Sequence, residues 1–355
     1  MSKRNQSFLT VLAYAIALTA TSNTAAEGHF VGHEFKTKFR LMHFDRDFGN
    51  DRNDRDQTAL GIEVNYTSPQ FSDFIGVGIS SYHVQEIDKG GRLREDILTA
   101  EPDGSLEGFS LFGQAFLNIT PGGNFAVKVG RMKHRSMLLN SSTSRAVPST
   151  FQGVSATFKP IQGLKLFASV YDKWSRRARD NFEGFATDES NPGDINYVGV
   201  IGATYKINSL KFDTEYLESD DYLRKFGLRG KWTNELSEDT ALDISGSIFT
   251  SSDNGDLFVT GAEGRDLDDE DAAGSMIGST RSENDGLGAY INFGWTKENA
   301  RVTLALAKFD DISIEDNFSG DHGRNPFPTR SRVGPDLRTR SRMGTDGMRK
   351  TLWTA

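Results

Sequence analysis

Lys36, Lys38 and Arg40 stand two residues apart within the stretch 34–44, and Arg46 continues their parity just beyond it. Phe35, Thr37, Phe39 and Leu41 fill the alternate places. Successive side chains of an extended strand leave on opposite faces. This spacing therefore lines cations along one face, at intervals of about 7 Å, with an apolar row behind them. Such a series attracts anions and hands them from site to site without trapping them. The competing reading is a solvated face whose cations pair with acids on the neighbouring strand, such as Glu63. A second basic segment follows. Arg131, Lys133, His134, Arg135 and Arg145 are interleaved with Ser136, Asn140, Ser141, Ser142 and Ser144, with no acid among them. A long loop of hydroxyls and cations can fold inward and narrow a passage; the alternative is an ordinary surface loop.

Other chemistries find no residues to carry them. The acidic stretches 45–56 and 266–271 lack the Gly and distal Glu of a calcium loop, so they read as solvated loops. Gly76 and Gly78 are followed by no third Gly and no helix, so they are not a dinucleotide fingerprint. There is no G-x-S-x-G elbow and no H-E-x-x-H pair, and the six His residues show no metal-ligand spacing. A membrane hydrolase would need a Ser/His pair on adjacent strands, and none stands out. No catalytic residue, cofactor or metal is expected, and the chain does not read as an enzyme.

The elements that must position the cations repeat one grammar. Leu60, Ile62, Val64 and Tyr66 alternate with Gly61, Glu63 and Asn65. Ile75, Val77 and Ile79 follow, then 111–119, and then Phe125, Val127 and Val129 around Lys128. The pattern returns at 154–158, 164–170 and 194–205. Leu210, Phe212 and Thr214 alternate with Lys211, Asp213 and Glu215; further strands are expected near 225–232, 242–248, 287–295 and 302–306. About thirteen strands are legible, several near the 9–11 residues that a tilted transmembrane strand needs. No helical period competes with them. Short turns (67–73, 120–124, 160–163, 206–209, 297–300) largely alternate with long polar connections (45–58, 85–107, 132–150, 175–193, 252–284). An up-and-down barrel in an outer membrane segregates its loops this way, whereas a soluble β-sandwich has no reason to. Tyr and Trp residues lie mostly near strand ends, where amphipathic rings meet the membrane boundary. The expected fold is an all-β, antiparallel transmembrane β-barrel, with the basic rows in its lumen.

The ends and the composition fit export. Lys3 and Arg4 precede an apolar run from Phe8 to Ala20, and small residues follow at 24–26. Residues 1–26 read as a signal peptide cleaved near Ala26. That run is too short for a membrane-spanning helix. The chain has no Cys. Its net charge of −8 argues against nucleic acid as a partner. A mean hydropathy of −0.49 is compatible with a barrel, because only alternate residues face lipid.

Four segments resemble one family, and in order along the chain. FRLMHFDRDF (39–48) resembles the first strand and turn of the OprD-type outer-membrane porins. RAVPSTFQG (145–153) is similar to the end of that family's constriction loop, YLESDDYLRKFG (216–227) to a mid-barrel hairpin, and NPFPT (325–329) to a later loop. The resemblance covers roughly residues 30–330. It implies an eighteen-stranded monomeric channel for small anionic or zwitterionic solutes bearing carboxylates, such as amino acids and organic acids. It also implies an arginine-rich ladder down one wall, a third loop that narrows the pore, and insertion into outer-membrane lipid by assembly machinery. By position, Arg40 and Arg46 match basic residues of the family's first strand and turn, with Arg52 or Arg55 as a further rung. Ser144 and Arg145 match the end of the constriction segment. The pore set expected here is thus Lys36, Lys38, Arg40, Arg46, Arg131, Lys133, Arg135, Ser144 and Arg145. The barrel domain is expected over 27–335. Residues 336–355 are basic, lack alternation and end in Ala355, where the family continues with strands and a terminal aromatic residue, so a truncated or frame-shifted member is expected. The alternative function is a barrel that acts as receptor or adhesin through its long loops.

Overall fold

The computed structural model describes residues 15–24, 32–46, 55–71, 74–90, 97–186, 192–255, 285–310 and 348–351. The elements are β1 (Ala15–Thr24), β2 (Glu34–Arg46), β3 (Arg55–Thr67), β4 (Ile75–Asp88), β5 (Thr99–Ala100) and β6 (Leu106–Glu107). Next come β7 (Phe109–Ile119), β8 (Phe125–Met132), β9 (Thr150–Phe158), β10 (Leu164–Ser175), β11 (Glu183–Gly184) and β12 (Val198–Ile207). The series ends with β13 (Leu210–Ser219), β14 (Leu223–Ser237), β15 (Thr240–Asp253), β16 (Asp285–Lys297), β17 (Ala300–Asp310) and β18 (Met348–Thr351). Sixteen of these form one sheet in which sequence neighbours pair antiparallel, while β5 and β6 form a separate two-stranded ribbon. The strands read from alternation are β2–β4, β7–β10 and β12–β17. No helix occurs among the described residues.

Two strands fall in segments read differently from sequence. Ala15–Thr24, inside the expected signal peptide, pairs with Phe35–Phe44 of β2. Met348–Thr351, inside the expected basic tail, pairs with Ala305–Lys308 of β17. The acidic stretch 266–271, the NPFPT segment and Arg52 lie outside the described residues, as do the side chains of Arg46 and Arg55.

Burial on this sheet is inverted relative to a water-soluble protein. Large apolar side chains such as Phe39, Leu41, Phe112, Ile201, Phe226, Ile248, Phe293 and Leu304 are exposed on one face. Polar and charged ones are buried on the other: Glu63, Ser80, Asp213, Glu215, Lys225, Asp243, Ser247 and Asn292. Lipid against the first face and a bore behind the second account for the pattern, since a charge facing lipid at mid-membrane costs about 2–4 kcal/mol. Connections segregate by rim. Turns of two residues join β12 to β13, β14 to β15 and β16 to β17 at one end, whereas 89–108, 133–149 and 176–197 emerge at the other. In such barrels the short turns are periplasmic and the long loops extracellular.

The bore is not empty. One apolar cluster joins Met137, Leu138 and Leu139 to wall residues Phe151, Tyr171, Trp174, Leu217 and Phe249. A second joins Ala146 and Val147 to Met42, Ala59, Tyr82 and Val84, with Ile97, Leu98 and Leu106 of the 89–108 connection above them. Both clusters include residues 133–149, so this loop folds inside the sheet.

Candidate functional site

The loop between β8 and β9 first holds itself together. Its hydroxyls cap its own backbone: Ser141 Oγ accepts from His134 N–H (3.1 Å) and Ser149 Oγ from Ser142 N–H (2.8 Å). The Ser141 and Ser149 N–H groups return bonds to the carbonyls of His134 (2.8 Å) and Ser142 (2.9 Å). Ser and Thr side chains favour such local bonds over ladders, which suits a compact loop.

Wall residues then pin it on two sides. On the β2–β3 side, Arg40 Nη1 donates to the carbonyls of Thr143 (2.6 Å) and Arg145 (2.5 Å). Lys133 Nζ reaches Glu63 at 3.0 Å, on a carboxylate only 4% exposed. At Gly61 an added Cβ would lie 2.3 Å from the Ala146 carbonyl oxygen, so the loop backbone rests directly on β3. On the β13–β14 side, the Glu215 carboxylate accepts from the N–H groups of Met137 (2.6 Å) and Leu138 (2.7 Å), both buried. At Gly227 a Cβ would meet Met137 Cε at 2.7 Å. Between these sides, His134 Nδ1 bonds the Tyr171 hydroxyl at 2.8 Å. Burial, with Lys165 nearby, pushes the His134 imidazole down to about 4, so it is neutral at ordinary pH. Arg177 donates to Ser142 Oγ and Ser144 Oγ. The loop is thus tethered at both ends of a line that crosses the bore.

The expected pore residues divide accordingly. Lys36 pairs with Glu34. Lys38 shares Glu63 with Lys133, at 3.4 Å. Arg40 directs its Nη1 at the two loop carbonyls. Arg46 stands opposite Arg55 at the end of the β2–β3 pairing. Arg131 Nε bonds Gln152 Oε1 (3.2 Å) and its guanidinium lies 4.3 Å from the Phe182 ring centre. Arg145 lies over Phe44, 4.5 Å from its ring centre. Ser144 accepts from Arg177. Arg135 is exposed. The loop thus brings Arg145 against β2, Lys133 against β3, and Ser144 under Arg177. Glu215, Tyr171, Arg177 and Gly61 were not singled out from sequence, although alternation does place Glu215 on the polar face of its strand.

A transmembrane sheet with an apolar outside, a charged inside and a loop tied across the bore defines an outer-membrane β-barrel porin. The chain belongs to the OprD family: the model of outer membrane porins of that family matches residues 27–291. No curated protein sequence matches the chain significantly. Among solved structures, OccAB1 of Acinetobacter baumannii superposes with a TM-score of 0.70 at 19% identity, covering 88% of this chain and 73% of its own. OccK8 (OprE) of Pseudomonas aeruginosa superposes at 0.67 with 16% identity, covering 86% and 76%. OpdK of P. aeruginosa, solved with vanillate, superposes at 0.66 with 18% identity, covering 84% and 75%. The chain is therefore a substrate-specific porin of the bacterial outer membrane that passes small solutes.

Proposed function

We propose that the solutes are small carboxylate-bearing molecules, amino acids and organic acids among them, and that basic residues in the bore select them. Transport is passive diffusion through a monomer placed in the membrane by assembly machinery, after cleavage of the signal peptide near Ala26, which removes β1 from the mature sheet. Along β2, Lys36, Lys38 and Arg40 act by placing the wall and the loop, and Arg46 acts by its charge; Arg131, Lys133, Arg135, Ser144 and Arg145 contribute from the loop and its base. The observation that carries the reading is the basic loop held across the bore, because any solute must pass its cations. Aromatic carboxylates fall within the class, since a structural neighbour was solved with vanillate. The test is liposome swelling by the refolded chain, which also separates a channel from a plugged receptor barrel. Arg46→Ala is expected to slow anionic solutes about threefold and neutral ones of equal size little. Equal slowing of both would remove the charge from the reading.

A further inference from the structure

Below the loop, the β8–β14 wall carries an open cavity of about 420 Å³, within the size range of small-molecule sites. It lies toward the short-turn rim: Lys128 is four residues into β8 from that end and Lys165 two residues into β10. Both line the cavity, and Arg135 at the loop base joins them. Two acids also line it, and each is already engaged. Asp213 accepts from Thr204 Oγ1 and from Lys211 Nζ, both at 2.8 Å. Glu215 holds the loop backbone. Lys128 Nζ sits 4.7 Å from the centre of the Phe116 ring and Lys165 Nζ 5.4 Å from that of Phe167. Aromatic faces steady an ammonium group without neutralising it. Among the described residues, Lys128, Lys165 and Arg135 pair with no acid and make no side-chain hydrogen bond. The β2 row differs, since Lys36, Lys38 and Arg40 all have protein partners.

We infer that this cavity is a second anion station, between the constriction and the periplasmic mouth, that binds dianionic solutes through Lys128, Lys165 and Arg135. The inference deepens the porin reading and rests on it. Three positive charges around one cavity, with no acid partner among the described residues, favour a ligand with more than one negative charge. A solute that clears the loop meets this charge before release.

Liposome swelling by the refolded full chain tests the station with succinate and butyrate, two four-carbon acids that differ by one charge. In the Lys128→Gln/Lys165→Gln variant, succinate influx is expected to fall about fivefold and butyrate less than twofold. Lys128→Arg/Lys165→Arg should retain the wild-type ratio and shows that both sites tolerate change. An unchanged succinate-to-butyrate ratio in the Gln variant, equal loss of both solutes, or an Arg variant as poor as the Gln one would overturn the station. Inorganic phosphate as a third solute identifies the ligand more closely. A parallel drop assigns dianions in general, and a drop in succinate alone assigns dicarboxylates. If wild-type protein passes anions no faster than neutral solutes of equal size, the carboxylate reading itself fails. If it prefers anions and the Gln variant keeps its ratio, only the station falls.

Discussion

The β2 wall and the wall below the loop both carry cations and use them differently. On β2, Lys36 and Lys38 meet carboxylates and Arg40 meets two carbonyls, so these charges hold structure in place. Below the loop, Lys128 and Lys165 rest on phenyl faces and Arg135 faces the cavity, so their charge stays available to a solute. A cation on the inner face of a barrel therefore has two careers. Its partner decides between them, because pairing cancels the field that a passing anion would feel. Arg40 illustrates the first career. By clamping Thr143 and Arg145 it determines where the loop lies, and through the loop it acts on selectivity without being a free rung.

The largest expected effect comes from releasing the structural side. Glu215→Ala leaves the buried N–H groups of Met137 and Leu138 without acceptors, at about 1–3 kcal/mol each. The loop tip should leave the β13–β14 wall, and single-channel conductance in planar bilayers should rise about twofold and grow noisier. Unchanged conductance would mean that Glu215 does not hold the constriction.

A smaller effect follows from His134. Its folded value of about 4 lies below the ordinary 6.5, so the folded loop binds fewer protons than the undocked one between those values. Docking is fully stable above about 6.5 and loses up to about 3 kcal/mol as pH falls toward 4. Acid should therefore open and destabilise the constriction, and a His134→Gln variant should lack the transition over that window. A wild-type conductance that is flat across this range would argue against His134 as a tether.

Much of the fold was legible because lipid enforces period two. Thirteen of the fourteen described strands of eight residues or more follow the alternation, the exception being β1 in the expected signal peptide, and strands such as Leu210–Ser219 show both faces in their lettering. The shorter pieces were not legible. The turn before β5 is held by the Gln57 side chain, which accepts from the Ile97 and Leu98 N–H groups at 3.0 and 3.3 Å, a contact across forty residues that no local period encodes. The site was legible in composition and not in use. The basic loop could be named, but whether it lay on the surface or inside was open. The answer depends on Glu215 and Gly61, an acid and a glycine that look unremarkable in strands of their kind. Glu63 was weighed as a partner for the β2 cations, and it pairs with Lys38. Lys128 is a single lysine in an apolar strand, and its availability is a tertiary property.

The comparison of the two walls is tested most directly by the zero-current potential across a salt gradient for two single-charge removals, Lys36→Gln and Arg135→Gln. Each variant loses one positive charge, but only the charge of Lys36 is paired with an acid. Arg135→Gln is expected to reduce anion selectivity at least about threefold more than Lys36→Gln. Equal shifts, or a larger shift for Lys36→Gln, would contradict the division between structural and solute-facing cations.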